Sequence, residues 1–437
     1  MPRIPSRVGI LVALAVLFGS APLRAHDDDD SEPGGWFTAW STSIGHRMLS
    51  TLTPGNANHA PDVSKSTLRM VVRPTIAGGA VRVRIENTQA QTPVTFSGAF
   101  VGELASGAAL VSGTNRPLTF GGSRSLTLAA GASAWSDEVR FKVEAFRRLA
   151  VSLDVVSAVE VSGHQLGLAT NYIGKPGTGG SASGDGFAPV PANNGNYPFY
   201  YVAALDVRSE TASGTIVLLG DSITDGRCST RDPASGNIPA DEYNRWGDVL
   251  ATRLQALYGR RAPAVSIEAI AGNRVVLPGG NGPAAVLRLQ NDVLDRAGLR
   301  AVIFYEGTND ITGGATKEQL IAGLQEVIDR VHAKGVPIYG GTVVPRGRPA
   351  PLTGWTGSME RVKLEANHWA HTEGNFDGLV EFGALLAGPI VTGTDGAPAE
   401  SLWDTWNCFD YTHPNKFGLA EMGKMIDLDL FKPARRD

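Results

Sequence analysis

Ser222, His413, Asp410, Gly272 and Asn309 are the residues whose types and spacing could carry chemistry in this sequence, and that chemistry is acyl transfer. A serine attacking a carbonyl needs a base to take its proton, a carboxylate to orient that base, and N–H donors for the oxyanion that forms. Ser222 follows an apolar, β-branched run (215–219) and the turn Gly220-Asp221, where a strand would hand over to a helix. Its hydroxyl would then lie at the carboxyl end of a strand, the edge at which open α/β sheets place their ligands. The first helical turn would also offer unpaired N–H groups. Ala271-Gly272-Asn273 and Gly307-Thr308-Asn309-Asp310 close two further strand-like runs. Asp410 and His413 share one loop and can approach a serine from one side, the carboxylate on Nδ1 and Nε2 toward the hydroxyl. The candidate oxyanion donors are the Ser222 N–H, the Gly272 N–H and the Asn309 side-chain amide. Plainer readings stand beside these: Ser222 or Asn309 as a helix cap, Gly272 as a turn glycine, and Asp404 in place of Asp410. Asp221 and Asp310 read as structural carboxylates that cap helices and bind loop N–H groups.

Secondary elements must bring these residues together. From position 215 strand-like runs alternate with helical ones. The strands are expected at 215–219, 264–270, 301–306, 336–343 and 378–382, with helices near 243–258, 284–296, 317–334, 358–372 and 416–428. Such alternation predicts a parallel sheet with helices on both faces. Before it, from 36 to about 207, the pattern is β, with short runs at 67–73, 80–87, 94–100, 118–120, 125–129, 138–143, 149–155 and 200–207. Their even spacing suggests a sandwich or jelly roll. Val81-Arg82-Val83-Arg84-Ile85 alternates apolar with charged, as a strand with one wet face does. The Gly/Ser-rich stretch 175–186 reads as a flexible loop. A boundary near 209–213 separates a β-sandwich accessory domain (36–208) from a catalytic domain (213–434).

The first 25 residues read as a secretory signal peptide: Arg3 and Arg7, then an apolar stretch too short to span a bilayer, with cleavage preferred after Ala25. His26 and the four aspartates after it could bind a cation, but a solvated, disordered acidic tail (26–35) is the simpler expectation. No later run is apolar enough to cross a membrane, so a soluble, secreted or periplasmic protein is expected. Export makes Cys228 and Cys408, the only two cysteines, a candidate disulfide. With a formal net charge of −4 there is no basic excess to suggest a nucleic-acid partner. The 42% hydrophobic and 19% charged content suits a globular chain with real cores, and 53 glycines favour a loop-rich, β-containing one.

The motifs together resemble the SGNH-hydrolase superfamily of GDSL-type esterases and lipases. Four blocks carry the resemblance, in order: Gly220-Asp221-Ser222-Ile223-Thr224, Gly272-Asn273, Gly307-Thr308-Asn309-Asp310, and Asp410-x-x-His413. Asn244-Arg245-Trp246-Gly247-Asp248-Val249-Leu250-Ala251, Phe376-Asp377-Gly378-Leu379-Val380-Glu381-Phe382 and His413-Pro414-Asn415-Lys416-Phe417-Gly418 resemble a bacterial branch with an N-terminal β domain. The resemblance runs over roughly 215–425 and is weaker over the β region. It implies a three-layer α/β/α, flavodoxin-like domain with Ser222 as nucleophile, His413 as base and Asp410 as its partner. Ser222, Gly272 and Asn309 would form the oxyanion hole. Tyr411 stands where many relatives have glycine, and Asn273-Arg274 follows the second-block glycine.

Other residues carry weaker signals. Trp403, Trp406, Trp355 and Asn273 could line a substrate pocket, since tryptophans there often stack on sugars or aryl groups; they could equally be core. His368 and His371 have a spacing that can hold a metal, without a third ligand nearby. His46 and His59 have no assigned role. No metal or phosphate motif appears, so no cofactor is needed. The expectation is an exported serine esterase acting on short-chain, aryl or carbohydrate O-acyl esters, small or polymeric. A glycan-binding protein with an inert hydrolase domain and an acyltransferase are the alternatives. The oligomeric state is left open.

Overall fold

The computed structural model describes residues 34–193, 195–232 and 234–434. The expected signal peptide, its cleavage site and residues 26–33 of the acidic tail lie outside them. Gly34–Asp437 forms one compact unit.

The first half of this unit is all-β with antiparallel pairing. One sheet runs Gly35–Ser41, Val202–Ser209, Gly78–Glu86, Val139–Val143. A second is built on Ser66–Val72, Leu149–Ser157 and Val94–Ser106. Alternate residues of both, such as Val81, Val83 and Ile85 against Leu68, Met70, Leu149, Val151 and Leu153, close a shared core. A small third sheet joins Phe199–Tyr200, Val161–His164 and His46–Met48.

The second half is a five-stranded parallel sheet flanked by helices. Its strands, in chain order, are Thr215–Gly220, Ala264–Ala269, Leu299–Tyr305, Ile338–Gly341 and Gly378–Val380. In space they lie in the order second, first, third, fourth, fifth, the flavodoxin-like winding that the blocks imply. The first strand is buried on both faces, which is why it reads as one apolar run. Ile216 and Leu218 face Trp246, Leu250, Leu254, Leu419 and Met422. Val217 and Leu219 face Leu289, Leu320, Leu324, Val327 and Ile328. The helix Lys317–His332 starts at a reciprocal cap between Thr316 and Gln319 and buries Leu320, Leu324, Val327 and Val331 along one side. No helix among the described residues is long and apolar enough to cross a membrane.

Two sequence expectations change. The expected wet face of Val81–Ile85 is mostly covered. Arg84 is 8% exposed, pairs with Glu86 and donates to Asn291 of the α/β half. Arg82 pairs with Asp206 and lies over Trp36 and Trp135. An alternating strand shows only that its two faces differ; here the charged face meets a second layer. The 175–186 loop is also tied down. Arg69 donates to the Ser181 carbonyl at 2.8 Å and, through Nη1, to the Ala108 and Ser183 carbonyls. Asp154 accepts from Gly179 N at 2.9 Å.

The two halves are joined by buried and partly buried polar contacts. Thr38 N donates to Thr215 Oγ1 (3.1 Å), Ser43 Oγ to Glu268 Oε2 (2.9 Å) and Gln255 Nε2 to the Thr75 carbonyl (2.9 Å). Thr75 Oγ1 accepts from Val265 N at 2.9 Å, occupying a donor of the parallel sheet's edge strand.

Candidate active site

Pairing register sets the floor of the site. Gly220 is level with Ala269 on one side and Tyr305 on the other. The residues that follow, Asp221-Ser222, Ile270 to Asn273, and Glu306 to Asn309, therefore leave the sheet at one edge. Arg288, buried beneath, ties the three ends. It donates to the Gly220 carbonyl (3.1 Å), Asn273 Oδ1 (2.9 Å) and Glu306 Oε1 (2.8 Å).

Ser222 opens a four-residue helix, Ser222–Asp225, and is not its cap. The cap is Asp221, whose carboxylate accepts from Ile223 N at 2.9 Å. Burial pushes the Asp221 carboxyl up to about 7. Gly220 is required because a Cβ there would meet Thr224 Oγ1 at 2.1 Å. The Ser222 hydroxyl is thereby free for another partner.

That partner is His413. Ser222 Oγ lies 2.8 Å from His413 Nε2, and His413 Nδ1 lies 2.7 Å from Asp410 Oδ2. A carboxylate only accepts, so Nδ1 carries the ring proton and Nε2 is left to accept from the hydroxyl. Asp410 Oδ1 also accepts from Thr412 N (2.9 Å) and His413 N (2.8 Å). Burial acts against its charge, but these bonds and the imidazole hold the Asp410 carboxyl at about 2. Asp404 is exposed, and Asp410 is the carboxylate that meets the ring. Burial is also the main force on His413, lowering its pKa; the Arg346 and Arg227 cations add to this and Asp410 opposes it.

Gly272 sits at φ +82°, a backbone that favours glycine, and a Cβ there would meet Asn281 Nδ2 at 2.8 Å. Asn309 is the second residue of the helix Thr308–Thr312, whose cap is Gly307. Its side-chain amide donates to the Asn273 carbonyl at 2.9 Å and has a second N–H to offer. Asp310 accepts from Val275 N (2.7 Å), Val276 N (3.1 Å) and Leu277 N (3.1 Å), fixing the segment after Gly272.

The proposed pocket residues divide. Trp403 is 52% exposed beside the His413 loop, and Trp406 is partly buried against the core. Trp355 is 3% exposed and donates to Glu360. The Asn273 side chain is fully buried and donates to the Asn281 and Pro283 carbonyls. His371 faces Glu381 at 3.4 Å, whereas His368 lines an open surface groove together with Lys317, Ile321 and Leu364. Cys228, Asp410 and His413 lie close enough to suggest a metal site. The sulfur is in a disulfide, however, and both imidazole nitrogens have partners.

Arg346 and Arg348 were not singled out from sequence, although their place just after the fourth strand, at the same sheet edge, was a usable signal. Arg346 is buried and donates to Thr308 Oγ1 and Thr412 Oγ1, both at 2.9 Å, so it clamps the Asn309 turn to the His413 loop. Arg348 donates to the Asp410 carbonyl (2.9 Å) and Thr412 Oγ1 (2.8 Å).

Cys228 and Cys408 form a disulfide across 180 residues. It joins the turn after the Ser222 helix to the residue two before Asp410. Reduction is expected to lower thermal stability, by up to about 5 kcal/mol on chain-entropy grounds, and to lower esterase activity by freeing the His413 loop. Melting and hydrolysis rate measured after confirmed thiol release check this; no change in either would contradict it.

Residues 218–420 match the GDSL-like lipase/acylhydrolase family. The chain carries a GDSL-like lipase/acylhydrolase domain. That family is one of lipases and acylhydrolases, so the match supports carboxylic ester hydrolysis as the activity of this domain. No curated protein matches the chain. Solved structures similar to part of the chain include a carbohydrate acetylesterase family member from Sinorhizobium meliloti, 16% identical over 50% of this chain and 96% of that one, with a TM-score of 0.35. An α/β hydrolase enzyme from the metagenome of Lake Arreo is 18% identical over 49% and 94% (TM-score 0.34). An acetyl xylan esterase is 14% identical over 48% and 96% (TM-score 0.34).

Proposed function

We propose that the GDSL-like domain is an exported serine esterase that works through an acyl-enzyme on Ser222. The observation that carries this reading is the continuous chain of short contacts, Ser222 Oγ to His413 Nε2 at 2.8 Å and His413 Nδ1 to Asp410 Oδ2 at 2.7 Å. His413 takes the hydroxyl proton as Oγ attacks the ester carbonyl. The Ser222 N–H, the Gly272 N–H and the free N–H of the Asn309 amide hold the oxyanion. His413 then protonates the leaving alcohol, and water, activated by the same ring, releases the acid. The substrates are short-chain, aryl or carbohydrate O-acyl esters, with exposed Trp403 at hand to stack on a ring. The disulfide supports export, since such bonds persist in oxidising compartments.

Hydrolysis of p-nitrophenyl acetate, followed by a panel of acetylated sugars and longer-chain esters, tests the reading. Turnover abolished by Ser222→Ala supports it; equal rates in both proteins would remove it. Products formed with added alcohols would report acyl transfer.

The pH profile is a further expectation. His413 acts as base only when neutral, so kcat/KM rises with pH through the free-enzyme pKa of His413. Because that pKa is lowered from 6.5, the acid limb has its midpoint below 6.5. Arg346→Met removes a cation that disfavours the imidazolium and moves the limb to higher pH. A wild-type midpoint above 6.5 would contradict this.

A further inference from the structure

We propose that the β half supplies a positioning residue to the active site: His164, through Asp225, fixes the segment that presents the Gly272 N–H. The proposal rests on the esterase reading and assigns the β half a part in it.

Asp225 closes the helix that Ser222 opens. Its two carboxylate oxygens have different partners. Oδ2 accepts at 3.0 Å from the N–H of Ala271, the residue before Gly272. Oδ1 lies 3.0 Å from Nε2 of His164, on the strand Val161–His164 of the β half. His164 Nδ1 in turn lies 3.0 Å from the Ser43 carbonyl. With Asp225 ionised, the carbonyl and the carboxylate both only accept, so each ring nitrogen carries a proton. His164 and Asp225 are therefore an imidazolium and a carboxylate, both buried, at the junction of the two halves. Burial works against the imidazolium, and the charge and hydrogen bond of Asp225 outweigh it. The other charged or titratable groups facing His164 are Arg245 and His46. Burial and the His164 charge hold His46 down at about 3, so it stays neutral beside its charged neighbour.

This pair does more than join two surfaces. One carboxylate couples the Ser222 helix to the Ala271-Gly272-Asn273 segment, and so sets the distance between the attacking oxygen and an oxyanion donor. Asp225 is itself held, by its N–H on the Asp221 carbonyl (2.8 Å) and its carbonyl under Arg245 Nε (2.8 Å). Arg245 reaches the β half again, donating to the Gly167 carbonyl at 2.9 Å. The freedom left to the carboxylate is rotation about its own side chain, and His164 removes it. The oxyanion donor on the second strand end is thus oriented by a residue outside the GDSL-like domain, and that domain is incomplete without the β half.

The test is kinetic, on the full chain, with p-nitrophenyl acetate and with kcat expressed per active site titrated by a fluorophosphonate. Asp225→Ala and His164→Phe are each expected to lower kcat by roughly 10- to 100-fold, with KM shifting less than about threefold. Asp225→Asn is the conservative variant. Its oxygen can still accept from Ala271 N, and its NH₂ can donate to a His164 that has given up the Nε2 proton. It should recover most of what Asp225→Ala loses. In His164→Phe, adding Asp225→Asn removes the stranded charge and should raise kcat again. A merely structural pair would lower the melting temperature or the fraction of titratable sites, with kcat per site at the wild-type value; that result overturns the proposal. No recovery in His164→Phe/Asp225→Asn also overturns it, and this comparison decides if Asp225→Ala does not fold. A wild-type protein with no ester turnover would instead remove the reading beneath the proposal, and the proposal with it.

Discussion

Ser222→Ala is expected to lower kcat/KM by about 10⁴- to 10⁶-fold while leaving the fold intact. The size follows from the hydroxyl's position, 2.8 Å from an imidazole nitrogen that has no proton of its own to hold. Without it there is no covalent route, and the residual rate comes from the oxyanion donors and binding alone. The intact fold follows from a separate observation. The helix is capped by Asp221, so removing the Ser222 hydroxyl costs no cap. Adding His413→Ala to Ser222→Ala should cost little more, because a nucleophile and its base act as one unit. Steady-state rates and thermal melting of the single and double variants check this. A single variant with more than a hundredth of wild-type activity, or a double variant far below both singles, would contradict it.

Asp410→Asn is expected to cost about 10⁴-fold in kcat, almost as much, for a different reason. An asparagine oxygen can still take the Thr412 and His413 N–H bonds, so the loop keeps its shape. Its NH₂ would face Nδ1 as a donor. The ring then places its proton on Nε2, toward Ser222, and can no longer accept from the hydroxyl. The imidazolium formed during attack also loses the carboxylate that now stabilises it. The distinguishing result is a large fall in kcat with melting close to wild type. A loss under tenfold would mean that Asp410 is not what orients the ring.

Much of the site was legible because its residues sit at strand ends, and strand ends are readable. The apolar run before Ser222, the glycine at 272 and the Gly-Thr-Asn-Asp turn at 307–310 all mark where a buried parallel strand stops. Asp410 and His413 were legible by proximity within one loop. Tyr411 carries a physical trace of the glycine expected there: it sits at φ +53°, held by its N–H on Asn407 Oδ1 at 3.0 Å.

What sequence could not supply was the far side of each contact. Arg82 and Arg84 look like a wet strand face until the layer that covers them is known. Trp355 lies in the core and Asn273 turns its side chain inward, because packing chooses the direction of a side chain and spacing does not. The antiparallel hairpin Ala387–Thr392 with Pro398–Leu402 contains Pro389 and Pro398, residues that disfavour strands in a sequence reading. His164, more than fifty positions from Asp225, had no local signal at all.

Labelling with a fluorophosphonate, followed by peptide mass mapping and residual activity, tests the central claim most directly. The account predicts one phosphonyl group per chain, on the peptide that contains Ser222, with activity lost in proportion to labelling and no labelling of Ser222→Ala. Full activity in protein labelled at Ser222, or inactivation through a different residue, would contradict it.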